Sequence, residues 1–298
     1  MGRFAGWILA FLVPVAALAA PKDAIIDANA TLRAATGGAI LWDVRRLEDY
    51  DRGHIPGAVN IGHVAHALLD EKTQLFLPTA QVERRLGNAG LDPRKPIVVY
   101  GTRGSSYAHF AAWALAYFGA KNVRVFHDGY EGWVEARRHT STRATGRSPI
   151  KLKLTTNPKV IATTDEVIAR LGDPNVQFLD VRRPSEWSGE ESETLHGGHL
   201  PGATLVPYNA AYVDPEAPAR LMRQEIQETD GMALKPDAEL LALYAALDPA
   251  RETIVYCHTG IRAALTANIL ERLGFRNVRV YLASWLEYGN RPDARVEK

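Results

Sequence analysis

The sequence predicts an α/β protein of two tandem domains, each a parallel sheet with helices on both faces. Three observations carry that expectation. The first is an internal repeat. Leu91-Asp92-Pro93 followed by Val98-Val99-Tyr100-Gly101 matches Leu247-Asp248-Pro249 followed by Ile254-Val255-Tyr256-Cys257. Residues 118–126 (FGAKNVRVF) match 273–281 (LGFRNVRVY), 41–46 (LWDVRR) match 179–184 (LDVRRP), and 53–61 (GHIPGAVNI) match 198–206 (GHLPGATLV), in the same order. The second is a set of short apolar runs at 39–41, 97–100 and 123–126, which read as strands buried on both faces. The third is a pair of Ala- and Leu-rich stretches, 106–118 and 263–273, with apolar residues three and four apart. Gly119 and Gly274 are placed to end those helices, and Asn-Val-Arg-Val opens the next strand in both copies. Strands alternating with helices build a parallel sheet.

Taken in order, residues 1–20 (MGRFAGWILAFLVPVAALAA) join one arginine to an apolar run and an Ala-Leu-Ala site. That is the pattern of a cleaved secretory signal, pointing to export into a bacterial periplasm without stable membrane association after cleavage. Retention as an anchor is the alternative, opposed by Pro14 and the short run. The first domain is expected at 23–140 and the second at 159–295. Between them, 141–158 is a linker rich in Ser, Thr, Arg and Lys. The second copy carries longer loops, notably around 188–197 and 209–232.

Composition narrows the function. A chain of 298 residues with 46% hydrophobic and 23% charged side chains is that of an ordinary globular protein. A net charge of +1, from 35 basic and 34 acidic residues, supplies no basic excess for nucleic acid. The one cysteine, Cys257, excludes an intramolecular disulfide. In an oxidising compartment a lone thiol is conspicuous.

Cys257 ends the apolar run 253–256 and opens the segment Cys257-His258-Thr259-Gly260-Ile261-Arg262, after which a helix is expected. Ligands of open parallel sheets sit at the carboxyl ends of strands. A helix start favours an anion, and a thiol there gains thiolate character. Gly260 allows a tight curl that turns amides inward.

With these segments assembled, the chain resembles the tandem-domain rhodaneses, the thiosulfate sulfurtransferase family, from about residue 25 to 291. The resemblance implies a persulfide mechanism. The Cys257 thiolate takes the outer sulfur of a donor such as thiosulfate, and cyanide, a thiol or an acceptor protein removes it. It implies loop amides that stabilise the charged sulfur. It also implies an N-terminal domain that is catalytically inactive, because Gly101 stands where the second copy has Cys257. Arg182 matches a family position associated with substrate anion binding. Arg262, His258, Thr259 and Gly260 complete the expected substrate-binding set. An ion-pairing role for Arg182 and solvent-facing roles for Arg262 and His258 remain open. Asp43, Asp180, His54 and His199 are expected to be structural, and Trp285 and Tyr288 to be either a wall beside the thiol or core aromatics.

Two departures bear on the donor. Where some members have a second arginine four residues after Arg182, this chain has Glu186. Where the familiar thiosulfate enzymes have Arg-Lys after the cysteine, it has His258-Thr259. A 3-mercaptopyruvate sulfurtransferase and a non-enzymatic periplasmic sulfur carrier are the rival readings. A phosphatase of related fold needs one more residue between cysteine and arginine than the four found here. No CxxC, no metal-ligand cluster and no glycine-rich nucleotide fingerprint occurs, so neither a metal nor another cofactor is expected.

Overall fold

The computed structural model describes residues 24–298, so the expected export signal lies outside the described residues. Among the described residues ten strands form two five-stranded sheets. The first holds β1 (Ile25–Ile26), β2 (Ile40–Asp43), β3 (Val59–Asn60), β4 (Ile97–Tyr100) and β5 (Val123–Phe126). The second holds β6 (Ile161–Ala162), β7 (Val176–Asp180), β8 (Thr204–Leu205), β9 (Glu252–Tyr256) and β10 (Val278–Tyr281). Their orders, β1-β5-β4-β2-β3 and β6-β10-β9-β7-β8, correspond strand for strand, and every pair is parallel.

Alternation along the central strands sorts side chains into separate cores. Ile97 and Val99 face one side of the first sheet, and Val98 and Tyr100 the other. In the second sheet Val255 and Cys257 face one side, and Ile254 and Tyr256 the other. Val99, Val255 and Cys257 belong to one cluster that runs through both domains. The sheets therefore turn one face toward each other and bury the opposite faces separately. Burial on both sides is why the central strands read as unbroken apolar runs.

Between the sheets, the Ser106–Tyr117 and Ile261–Arg272 helices pack against each other. Both are buried on nearly all sides rather than along one stripe, which explains their alanine content. Each ends in the same way. Gly119 and Gly274 both have φ +93°, and their N–H groups reach Ala116 O and Glu271 O. The next residues, Ala120 and Phe275, bond back to Leu115 O and Leu270 O. This two-bond closure satisfies carbonyls the helix leaves open.

The segment between the sheets is a strap bound to the first domain. Ile150 N–H donates to Gly87 O, Asn157 N–H to Tyr117 O, and Leu154 N–H to the Glu83 carboxylate. It pairs through its backbone and so shows no side-chain periodicity. Among the described residues no helix is long and apolar enough to cross a membrane.

Candidate active site

β9 delivers Cys257 to the shared face, and only Cys257–Gly260 separate the strand from the Ile261–Arg272 helix. The loop rests on the turn after β10. Cys257 N–H donates to Ser284 Oγ (3.2 Å), Trp285 N–H to Cys257 O (3.0 Å), and Leu286 N–H to His258 O (2.9 Å). Gly260 has φ +80°, and its N–H lies 3.1 Å from Cys257 Sγ. A Cβ at Gly260 would lie 2.7 Å from Leu282 O, so the curl needs glycine both for its dihedral and for space. A helix start and an N–H aimed at sulfur both favour negative charge there. The thiol itself is buried, 1% exposed.

Arg262 is the second residue of the helix. Its Nη1 and Nη2 donate to the two oxygens of Glu186, at 2.8 and 2.9 Å, and the guanidinium stands 5.7 Å from the Tyr208 ring centre. Burial works against its charge, but Glu186 and the nearby Cys257 outweigh it and hold Arg262 above its usual range. Burial likewise opposes ionisation of Glu186, yet the Arg262 fork and Arg183 pull it down to about 2. Glu186 sits on the Pro184–Ser188 helix, where it also accepts from Arg183 N–H (3.1 Å) and Nε (3.0 Å). His258 is half-buried, 3.5 Å from Glu193, and desolvation lowers its pKa despite the nearby carboxylates. Thr259 is half-buried and makes no side-chain hydrogen bond among the described residues.

Arg182 takes up the ion-pairing alternative that the sequence left open. It is 1% exposed, forks onto Asp180 (Nη2 to Oδ2, 2.6 Å) and donates to Gly198 O (2.7 Å). Its guanidinium lies 4.3 Å from the Trp285 ring centre. In the first domain Arg45 repeats the set with Asp43 (2.6 Å) and Gly53 O (2.7 Å), beside a loop that has no thiol. The Nε and Nη2 of Arg182 are committed to Asp180 and Gly198 O, and through these bonds Arg182 braces the strand end. Trp285 and Tyr288 are core residues, 2% and 1% exposed. His54 and His199 are buried and stack on Tyr50 and Trp187. The structure thus gathers Cys257, Gly260, His258, Thr259 and Arg262 at one loop, with Arg182 buried against the Asp180 carboxylate.

Ser284 was not read from the sequence. It is fully buried at φ +51°, rare for a residue with a side chain, and its hydroxyl donates to Tyr281 O (2.6 Å) while accepting from Cys257 N–H. The repeat held the signal, because the matching residue is Gly129 at φ +58°. A Cβ there would lie 2.3 Å from Gly101 O. The second copy replaces a conformational glycine with a serine that reaches the cysteine loop.

The corresponding loop of the first domain, Gly101–Ser105, is one residue longer, and both following helices have 12 residues. It is closed off by the second domain. Tyr212 Oη donates to Gly104 O (2.7 Å), and Arg103 pairs with Asp230 of the second domain as well as with Glu135 and Asp128 of the first.

The rhodanese-like domain model matches twice, at residues 27–136 and 163–291. The chain is 34% identical over 288 residues to a thiosulfate sulfurtransferase of Corynebacterium glutamicum, covering 91% of this chain and 89% of that protein. It is 30% identical over 268 residues to a thiosulfate sulfurtransferase of Azotobacter vinelandii, covering 87% and 90%. An anaerobic ergothioneine biosynthesis enzyme from Chlorobium limicola, solved with trimethyl histidine, shares the fold. The TM-score is 0.78 at 21% identity, over 93% of this chain and 70% of that one.

Proposed function

The chain belongs to the rhodanese family and is a sulfurtransferase acting on small sulfur donors and acceptors, and from that premise we propose that it moves sulfane sulfur from thiosulfate to cyanide or a thiol through a persulfide on Cys257. One observation carries the choice of residue. The only cysteine of the chain lies at a strand-to-helix loop with the Gly260 N–H on its sulfur.

In the first half-reaction the Cys257 thiolate attacks the outer sulfur of thiosulfate. A Cys257 S–S bond forms, the donor's S–S bond breaks, and sulfite departs with the electron pair. In the second, the acceptor attacks the outer persulfide sulfur and the thiolate returns as leaving group. Two half-reactions sharing one covalent enzyme form require ping-pong kinetics. Gly260 N–H is the fixed donor to the charge on sulfur, and Ser284 holds the loop that aims it. His258, Thr259 and Arg262 border the donor's approach. The name shared by the two bacterial relatives supports thiosulfate as donor.

Steady-state rates with thiosulfate and cyanide test this reading. Parallel double-reciprocal lines, with activity abolished in Cys257→Ser, are the expected result. Turnover with 3-mercaptopyruvate but not thiosulfate would replace the donor. Stable sulfur loading without turnover to any small acceptor would instead indicate a carrier that serves an acceptor protein. The export reading, which rests on residues 1–20, is proposed as well. An N-terminus near residue 21 on protein recovered from the periplasm would support it.

A further inference from the structure

The guanidinium that follows the cysteine loop, that of Arg262, is already engaged. Each Nη of Arg262 donates to one oxygen of Glu186, at 2.8 and 2.9 Å. The surrounding charges do not restore a positive mouth. Arg183 is shared between Glu186 (3.0 Å) and Glu191 (2.7 Å), and His258 faces Glu193 at 3.5 Å. Arg182 is closed on Asp180. Two arginines thus meet three glutamates beside a neutral imidazole, and Tyr208 is an un-ionised phenol. Thiosulfate carries two negative charges, and its sulfonate oxygens suit a guanidinium fork. It gains the end-on fork, the face on which both nitrogens are already engaged, only by displacing Glu186, whose side chain is 12% exposed. Parting a buried ion pair is strongly unfavourable. A singly charged donor meets half that opposing charge and has less need of the fork.

We propose that Glu186 is a specificity-determining positioning residue which, by occupying Arg262, disfavours dianionic sulfur donors relative to singly charged thiosulfonates. The proposal rests on the sulfurtransferase reading above. Glu186 acts through Arg262 and not by touching sulfur. Because its carboxyl is held near 2, Glu186 stays ionised at neutral pH.

The test compares thiosulfate with methanethiosulfonate, cyanide being the acceptor for both, in the wild type, Glu186→Gln and Glu186→Asp. Any change in the nucleophile itself cancels in the ratio of the two kcat/KM values. In Glu186→Gln the thiosulfate KM is expected to fall about tenfold and the methanethiosulfonate KM at most about threefold, the change falling on KM rather than kcat. Glu186→Asp keeps the wild-type ratio. An unchanged ratio in a folded Glu186→Gln overturns the proposal. Ionic strength gives a second reading on the wild type alone. Added sodium chloride lowers the thiosulfate KM if the mouth repels a dianion, and raises it if Arg262 acts as a free cation, which also overturns the proposal. Absence of sulfur on wild-type Cys257 with either donor would overturn the sulfurtransferase reading itself, a result distinct from an unchanged ratio.

Discussion

Arg182 and Arg262 look alike in the sequence, and folding separates them by what each can still bond. Arg182 has its fork on Asp180 and a further N–H on Gly198 O, while Arg262 stands at the loop with its charge countered by Glu186. Arg182→Ala leaves Asp180 buried and unpaired, so it is expected to cost about 3–5 kcal/mol of stability; a denaturant titration measures this, and the fraction that remains folded should keep its thiosulfate KM. The repeat made that role legible, because Arg45 does the same work in a domain without a thiol. Ser284 was legible only by aligning it with Gly129. Ser284→Gly keeps the positive φ and removes the hydroxyl that receives Cys257 N–H. Stability should shift by less than about 1 kcal/mol, since lost hydrogen bonding is offset by relieved strain, and kcat should fall about tenfold as the loop loses its anchor. Thermal unfolding and steady-state rates on the same preparation check both parts. Glu186 was visible as a departure, but its partner was not, because nothing local links residue 186 to residue 262.

The strand–loop–helix element repeats, and its loop length separates the copies. The central strands were readable as apolar runs, and β4 and β5 have the boundaries their runs predicted. The edge strands β1, β3, β6 and β8 have two residues each, too short for any period, and exist through backbone pairing to a neighbour. Gly101→Cys is expected not to create a second sulfur site. Its loop is one residue longer than that of Cys257, and a Cβ at 101 would lie 2.9 Å from Ser105 Cβ. Sulfur bound to that new cysteine, read by mass spectrometry in a Cys257→Ser background, would contradict the loop-length argument. The matched helix ends differ in surroundings. A Cβ at Gly119 would lie 2.6 Å from Thr155 O in the strap, whereas at Gly274 nothing lies within 4 Å. Both alanine substitutions pay for a positive φ, so Gly119→Ala should lower the melting temperature further than Gly274→Ala.

Across the whole molecule the two domains are joined by a shared core and by a buried polar chain. Asn268 Nδ2 donates to His109 Nδ1 (3.2 Å), His109 Nε2 meets His127 Nδ1 (2.9 Å), and His127 Nε2 meets Met232 O (3.0 Å). The carbonyl at one end makes His127 Nε2 a donor, which fixes each ring in one neutral tautomer. Burial pushes His109 well below its usual range and His127 to about 4, against the pull of Asp128. An unfolded chain takes up protons near 6.5. Between about 6.5 and 4 the unfolded state therefore binds more protons, and the stability these rings supply is complete above that window and lost as the pH falls through it. The melting temperature should drop from pH 7 to 4.5, with a shallower drop in His127→Gln, as calorimetry can show. Nothing in the sequence links residues 109, 127, 232 and 268, which is why the repeat predicted two domains but not the tie between them. The chemistry turns on one sulfur atom carried by one residue, and the direct measurement is the intact mass of the protein before thiosulfate, after it, and after cyanide. A gain of one sulfur that cyanide removes and that Cys257→Ser never acquires is the predicted result. An unchanged mass, or a gain that persists in Cys257→Ser, would contradict the account.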